Sequence, residues 1–409
     1  MGCSIQENNQ GQISPQTEKN ELEINSSTNT GNQTAPPIDQ GNVKNLTTNN
    51  TTPPTTEEIK SEQVPRDSTR VKNSIEKKPP KREKIDVKGL YLNRTSIREE
   101  NIQRYIDIVK NTKLNAVVID IKDDYGKLTY DSNVTLANQI GSDSNPATKD
   151  LKKLIQRLKA EGIYTIARIV VFKDPYLAAH QDDVAIKRKD GTVWQDAAGM
   201  KWVDPYQKKV WNYITAIAQE AAANGFDEIQ YDYIRFPENA KQVDKQVAFA
   251  NPTNVSKAEN ILAFLQSSKK KLNDYPVYVS ADVFGLTTTA TDDMGIGQIW
   301  ENIAPNVDYI SPMTYPSHYA KGTYGISNPD DFPYDIMFRA AQDAKQRNQN
   351  LKEAGQTPAI IRPWIQDFDY LRNYTATDVK NQIKALEEQG ITQYLIWNAA
   401  NSYTVEAFK

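Results

Sequence analysis

The residues with the clearest chemical potential are acids placed at the ends of apolar runs. Gly225-Phe226-Asp227-Glu228-Ile229-Gln230-Tyr231-Asp232-Tyr233-Ile234-Arg235-Phe236-Pro237 reads as a strand bounded by a glycine and a proline, with Asp232 near its carboxyl end. A carboxylate there is costly to bury unless something pairs with it or uses it. Other strand-like runs end in the same way: Asp120, Asp123 and Asp124 after Ala116-Val117-Val118-Ile119, Asp282 in Ser280-Ala281-Asp282-Val283-Phe284-Gly285, and Asp367 and Asp369 after Trp364. Two carboxyl groups flanking one bond can split proton work. One protonates a leaving oxygen while the other attacks carbon or activates water, the requirement of glycosidic cleavage. Burial, or a second acid nearby, lifts one carboxyl pKa and makes a proton available near neutrality.

Asp232 is the expected nucleophile or base, with Asp282 as the general acid. Arg235, three residues beyond Asp232, is placed to position a carboxylate or bind substrate. Strand alternation sets Gln230, Asp232 and Ile234 on one face. The plainer alternatives are a structural Asp–Arg pair for Asp232 and a loop cap for Asp282. Aromatics mark the same strand ends: Tyr91, Trp202, Tyr315, Trp364 and Trp397. Flat rings bury the apolar faces of sugars well, although each ring alone also suits core packing. His180 and His318 are the only histidines. His318 follows a strand and could reach substrate. No His/Cys cluster has metal-ligand spacing, no Gly-x-Ser-x-Gly elbow is present, and no phosphate loop occurs. The reading calls for no metal and no cofactor.

These groups need a scaffold that brings strand ends together. Strands are predicted at Gly89–Asn93, Ala116–Lys122, Tyr164–Phe172, Glu228–Phe236, Val277–Gly285, Tyr309–Tyr315, Ala359–Asp367 and Gln393–Asn398. Several are continuous apolar runs, the signature of parallel strands buried on both faces. Helical patterns separate them: Glu99–Asn111, Lys149–Glu161, Pro205–Asn224 with Asp204 as N-cap, Lys257–Leu272, Gly297–Ala304, Tyr334–Arg347 and Ala376–Gln389. Gly162, Gly225 and Gly390 each end a helix one residue before a strand, where glycine takes the left-handed conformation at little cost. Eight such units predict an α/β fold, a (β/α)8 TIM barrel over residues 85–409, whose catalytic end is the carboxyl end of the strands. A doubly wound sheet is the runner-up, and no glycine-rich fingerprint follows the first strand to support it. Long loops follow strands two, three, four and six, and Lys187–Trp194 in the third predicts a hairpin with an Asp-Gly turn.

Residues 1–84 are different in kind. They contain no Phe, Tyr or Trp and are rich in Asn, Thr, Gln, Ser, Glu, Lys and Pro. Such a segment cannot bury enough apolar surface to offset its ordering entropy, which predicts a disordered tether. Its basic end, Lys77–Arg82, reads as a solvated linker. A net charge of −3 gives no reason to expect nucleic acid as a partner. No run of 18 apolar residues occurs. The only cysteine is Cys3 in Met1-Gly2-Cys3-Ser4, which excludes an intrachain disulfide. Gly-Cys-Ser is similar to the end of a lipobox, so Cys3 is the expected lipidation site and the only expected link to a membrane. The alternatives are an incidental cysteine, or N-myristoylation at Gly2, which Gln6 disfavours.

Five motifs occur in order: Lys88-Gly89-Leu90-Tyr91-Leu92, Ala116–Lys122, Asp232-Tyr233-Ile234-Arg235-Phe236-Pro237, Ser280–Gly285 and Ser311-Pro312-Met313-Thr314-Tyr315-Pro316-Ser317-His318-Tyr319. Together they resemble a bacterial family of glycoside-hydrolase domains first catalogued as a domain of unknown function. The resemblance covers essentially all of residues 85–409. It implies a TIM barrel related to the α-amylase and α-galactosidase groups, whose nucleophilic aspartate ends strand four, as Asp232 does here. The amylase-like pattern has a glutamate on strand five where Asp282 stands. The galactosidase-like pattern has an aspartate on strand six where Tyr315 and His318 stand.

The combined expectation is a lipid-anchored or secreted glycoside hydrolase acting on an envelope or environmental polysaccharide at the extracellular face of the membrane. Asp232 and Asp282 would be catalytic. Tyr91, Asp120, Arg235, Tyr315, His318, Trp364, Asp367 and Trp397 would line the sugar site. The rival is a barrel that binds a glycan or surface partner without cleaving it. A third option is a barrel enzyme of another class, a deacetylase or lyase, and the lack of metal ligands disfavours a zinc deacetylase.

Overall fold

The computed structural model describes residues 80–409 apart from residue 82. The tether up to residue 79, with Cys3, lies outside the described residues. The barrel strands are β1 (Lys88–Leu92), β2 (Ala116–Lys122), β3 (Tyr164–Val170), β4 (Glu228–Asp232), β5 (Tyr278–Phe284), β6 (Tyr309–Met313), β7 (Ile360–Ile361 and Trp364–Gln366) and β8 (Tyr394–Trp397). Each pairs in parallel with its neighbours in chain order. The ring closes through Lys88↔Tyr394 between β1 and β8, and Trp364↔Met313 between β7 and β6. Helices Glu99–Lys110, Leu151–Ala160, Lys208–Ala223, Lys257–Lys271, Trp300–Ile303, Pro333–Glu353 and Ala376–Glu388 follow β1 to β7. Only a single 3₁₀ turn, Val405–Ala407, follows β8.

The core has two layers, as strand alternation requires. Leu90, Val117, Ile119, Ile169 and Ile229 point outward and pack against the helices. Tyr91, Val118, Tyr164, Ile166, Trp364 and Leu395 fill the interior. At the floor Glu228 and Arg362, both fully buried, form a bidentate ion pair that the Tyr164 hydroxyl joins at 3.1 Å. A buried pair of this kind must satisfy both partners, since removing one strands the other's charge. Ile85 and Val87 pack beneath the interior rings, and the Lys84 ammonium lies 5.4 Å from the Tyr278 ring. The Lys81 ammonium lies 4.7 Å from the same ring. Of the expected solvated linker end, Lys81 therefore meets the barrel floor, held there by cation–π attraction and by an ion pair with Asp308 at 3.8 Å.

Three local expectations change. Strand four stops at Asp232, because Tyr233 has φ +50 and turns the chain out of the sheet. Ile234 consequently packs in the helix-side core and does not follow Asp232 into the barrel. Strand seven breaks at Arg362-Pro363, where proline lacks the N–H that a central strand needs. The third long helix starts at Lys208, and Asp204 is no cap. Its carboxylate instead accepts the Tyr206 and Ala250 amides at 3.0 and 2.6 Å, tying two loops together. The Asp190-Gly191 hairpin forms, with Gly191 at φ +87 and Lys187 bridged to Val193.

Candidate active site

The carboxyl ends of the strands gather Tyr91, Asp120, Asp232 and Trp397 around a residue that the sequence reading passed over, Arg168 of β3. Its guanidinium is 1% exposed. Nε and Nη2 donate to Asp232 Oδ2 at 2.9 and 2.6 Å, and Nη1 donates to Asp120 Oδ1 at 2.7 Å and Asp124 Oδ2 at 3.2 Å. The Tyr91 and Trp397 rings lie 5.6 and 5.1 Å from it. A sequence signal existed. Arginine in the apolar run Ile166-Ala167-Arg168-Ile169-Val170 is almost never buried unpaired.

One cation therefore faces three acids, and the surroundings of two of them, Asp120 and Asp124, push their pKa values in opposite directions. Burial, with the charge of Asp124, raises Asp120 to about 7 despite Arg168 and the Tyr91 hydroxyl, which donates at 2.5 Å. Burial also acts on Asp124, but Arg168, Lys173 and a hydrogen bond from Tyr233 outweigh it and hold that carboxyl below its usual value. Asp232 receives two Arg168 donors on Oδ2 and the Tyr233 amide on Oδ1 at 2.6 Å. A group surrounded by donors alone is complemented as a carboxylate. The left-handed Tyr233 next to it is a strained conformation for a bulky residue, of the sort held at functional sites.

Asp282 is the contrasting acid. It is 1% exposed, its Oδ1 accepts the Trp364 indole N–H at 2.8 Å, and its Oδ2 has no partner among the described residues. Burial, and then the charge of Asp232, raise its pKa well above the ordinary range, against the Trp364 hydrogen bond. Tyr231 pairs with Ala281, so Asp232 and Asp282 follow at the same height on adjacent strands. The two acids are side by side and do not oppose each other across a wide hollow. Beneath them Gln230, Ser280 and Ser311 also carry buried polar atoms without a partner among the described residues, the setting that ordered water satisfies.

The other expected residues divide. Trp397 stacks on Tyr91 with centroids 4.1 Å apart and remains partly exposed at the mouth. Trp364 is 1% exposed, so it holds Asp282 and offers no free face. Tyr315, His318 and Phe368 form an edge-to-face cluster at 5.5–5.7 Å. The Ser317 hydroxyl, 2.8 Å from His318 Nδ1, donates to Gln366 Oε1 at 2.9 Å. Arg235 forms an ion pair with Glu238 and lies over the Trp202, Tyr233 and Phe284 rings. The arginine donors on Asp232 come from Arg168. Asp367 turns to the C-terminal segment, where Oδ2 accepts the Thr404 amide at 2.8 Å.

Asp367 gives a stability prediction. Burial lifts it to about 6 against the Thr404 hydrogen bonds, whereas an unfolded aspartate titrates near 3.9. The fold binds this proton more tightly, so the contribution is full below about pH 4 and is lost as pH rises through 6, a span of roughly 2–3 kcal/mol. Asp367→Asn should flatten that part of the curve. Urea midpoints from pH 4 to 8 that run parallel in wild type and variant would contradict this.

Among the described residues no group of three or more His, Cys, Asp or Glu side chains could hold a metal ion, and no helix is long and apolar enough to cross a membrane. A hypothetical protein of Ruminiclostridium thermocellum is 37% identical, with 51% of this chain and 98% of that one covered and a TM-score of 0.43. The PgaB (BpsB) glycoside hydrolase domain of Bordetella bronchiseptica is 16% identical, covering 79% and 98%, with a TM-score of 0.54, which bears on the fold. The spore cortex-lytic enzyme SleL of Bacillus megaterium is 12% identical, covering 81% and 76%, with a TM-score of 0.46. No curated protein matches. Residues 89–403 match the family described as "putative glycosyl hydrolase domain". With that match spanning the whole barrel, from β1 to the segment after β8, the chain belongs to this family of glycosyl hydrolase domains.

Proposed function

We propose that the barrel cleaves a glycan by a two-carboxylate mechanism, with Asp232 as nucleophile and Asp282 as the proton-holding acid. The observation that carries this is the pairing of unlike acids on adjacent strands. Asp232 takes two donors from Arg168, while burial and the neighbouring charge raise the pKa of Asp282. A carboxyl held by cationic donors next to a second one raised by burial is an arrangement suited to an acid and a base working together. Protonation of the glycosidic oxygen would release the leaving sugar as Asp232 closes on the anomeric carbon. Water would then complete hydrolysis.

Neighbouring strands lie about 4.8 Å apart, nearer the ~5–5.5 Å carboxyl separation of retaining enzymes than the ~6.5–9.5 Å of inverting ones. The expected product therefore keeps the anomeric configuration of the substrate, which proton NMR of the first product reads directly. Inversion would remove Asp232 from the nucleophile's role. The function itself is tested by a screen of defined glycans with wild type, Asp232→Asn and Asp282→Asn. Full turnover by both variants would overturn the site, and binding by wild type with no turnover would favour a glycan-binding barrel.

The substrate is proposed to be an envelope or environmental polysaccharide, met outside the cell by a secreted or Cys3-anchored chain. Support comes from Gly2-Cys3-Ser4 followed by a polar segment without aromatics. Fatty-acid labelling that is unaffected by Cys3→Ala would reject the anchor.

A further inference from the structure

The loops after β3 and β4 are joined by a short antiparallel ladder, Lys187↔Ala248 and Arg188↔Val247. Between them lies a cleft of about 250 Å³. Its inner end is Lys173, whose ammonium donates to the Tyr233 hydroxyl at 3.0 Å. Tyr233 in turn hydrogen-bonds Asp124 and gives its amide to Asp232. The cleft is thus joined to the acid cluster through Lys173 and Tyr233. It holds about eight waters' worth of space, room for one sugar ring.

Its walls are polar in a selective way. Gln195, Asn239 and Gln242 line it with exposed carboxamides. Each carboxamide both donates and accepts hydrogen bonds, matching hydroxyl and amide substituents. The charged groups are committed elsewhere: Glu238 to Arg235, Asp196 to the Trp202 indole, and Lys173 to Tyr233. The indoles of Trp194 and Trp202 are 4% and 1% exposed, so they support the floor and present no stacking face. The ladder makes these walls two loops braced against each other.

We infer that this cleft is a second sugar subsite beside Asp232, built for a neutral ring bearing hydroxyl or amide groups. The inference rests on the glycan-cleaving reading and extends it to the unit next to the scissile bond. Uronic acids and cationic sugars are disfavoured because Glu238, Asp196 and Lys173 already have partners in the fold and the carboxamides cannot balance an added charge.

The test is calorimetry on Asp232→Asn, where the ligand stays intact, with oligosaccharides of increasing length. The probes are neutral hexose, N-acetylhexosamine and uronate series. A neutral series should gain about tenfold in affinity at the length that first reaches the cleft, the effect of one or two hydrogen bonds. Adding Gln242→Ala should erase that gain, and the uronate series should lack it. A gain that survives Gln242→Ala, the absence of any gain, or equal gain with uronates would overturn the subsite. Wild-type turnover of the same oligosaccharides separates the two ideas. Binding with the predicted increment but no cleavage would refute the enzyme reading alone, and cleavage without the increment would refute the subsite alone.

Discussion

Asp232→Asn is expected to lower kcat by at least about 10³-fold on any glycan the wild type cleaves, with a lower Tm but a folded barrel. Removing the charge of an essential nucleophile or base costs at least what positioned acid–base catalysis supplies. The asparagine oxygen can still accept from Arg168 Nε and Nη2, although its amide nitrogen then faces the Tyr233 N–H, and Asp120 and Asp124 still face the cation. The companion Asp282→Asn should also lose turnover. It should keep binding, because Trp364 can still donate to the amide oxygen. An Asp232→Asn enzyme that retains a tenth or more of wild-type kcat would show that the chemistry sits elsewhere in the mouth.

The second large effect is on the fold. Arg168→Met should destabilise the barrel by about 3–5 kcal/mol near neutral pH, because it takes the guanidinium away from the buried carboxyls of Asp120 and Asp232. The sign of its pH dependence is fixed by the acids left behind. Arg168 is among the groups that hold Asp124 below its usual value, a contribution present at neutral pH and lost as pH falls through that carboxyl's titration. Asp120, already raised to about 7 by burial, would rise further without the cation. The penalty of Arg168→Met should therefore be largest near pH 7–8 and shrink toward pH 4 as the acids take up protons. Arg168→Lys should cost less stability, since a charge remains. It should still cost activity, because a point charge cannot reproduce the forked contacts. Urea unfolding of both variants between pH 4 and 8 measures this. A penalty independent of pH would mean that Arg168 stabilises by packing and not by charge.

Much of this was legible in the sequence for identifiable reasons. Ala116–Lys122 is read to the residue because a two-faced apolar run has only one home in a barrel. Gly162, Gly225 and Gly390 mark real turns because each takes a positive φ that other residues avoid. Asp232 stood out because an acid in an apolar strand must answer for its burial. Arg168 carried the same warning and lay in a predicted strand. Its role needed the register of β2, β3 and β4, which sets Arg168 beside Asp120 and puts Asp232 beside Val170, two residues further along the same face and within reach of the long arginine side chain. The side-by-side placement of Asp232 and Asp282 follows from that adjacency too.

Other features had no local signal. Asp367 turns to Thr404 because the segment after β8 folds back over β7, a contact between parts of the chain that share no pattern. The break in β7 was announced by Pro363, but the expected strand ran through it. The turn at Tyr233 was hidden, since tyrosine rarely adopts positive φ and nothing in its neighbours asks for it.

The most direct test of the central claim is chemical rescue. Asp232→Gly removes the proposed nucleophile and leaves Arg168 facing the space its carboxylate held, where a small anion such as azide can bind. On a substrate that wild type cleaves with retention, azide should restore turnover and yield a glycosyl azide whose anomeric configuration is inverted relative to that substrate. No response to azide, in a variant that still binds the substrate, would contradict Asp232 as the group that attacks the sugar.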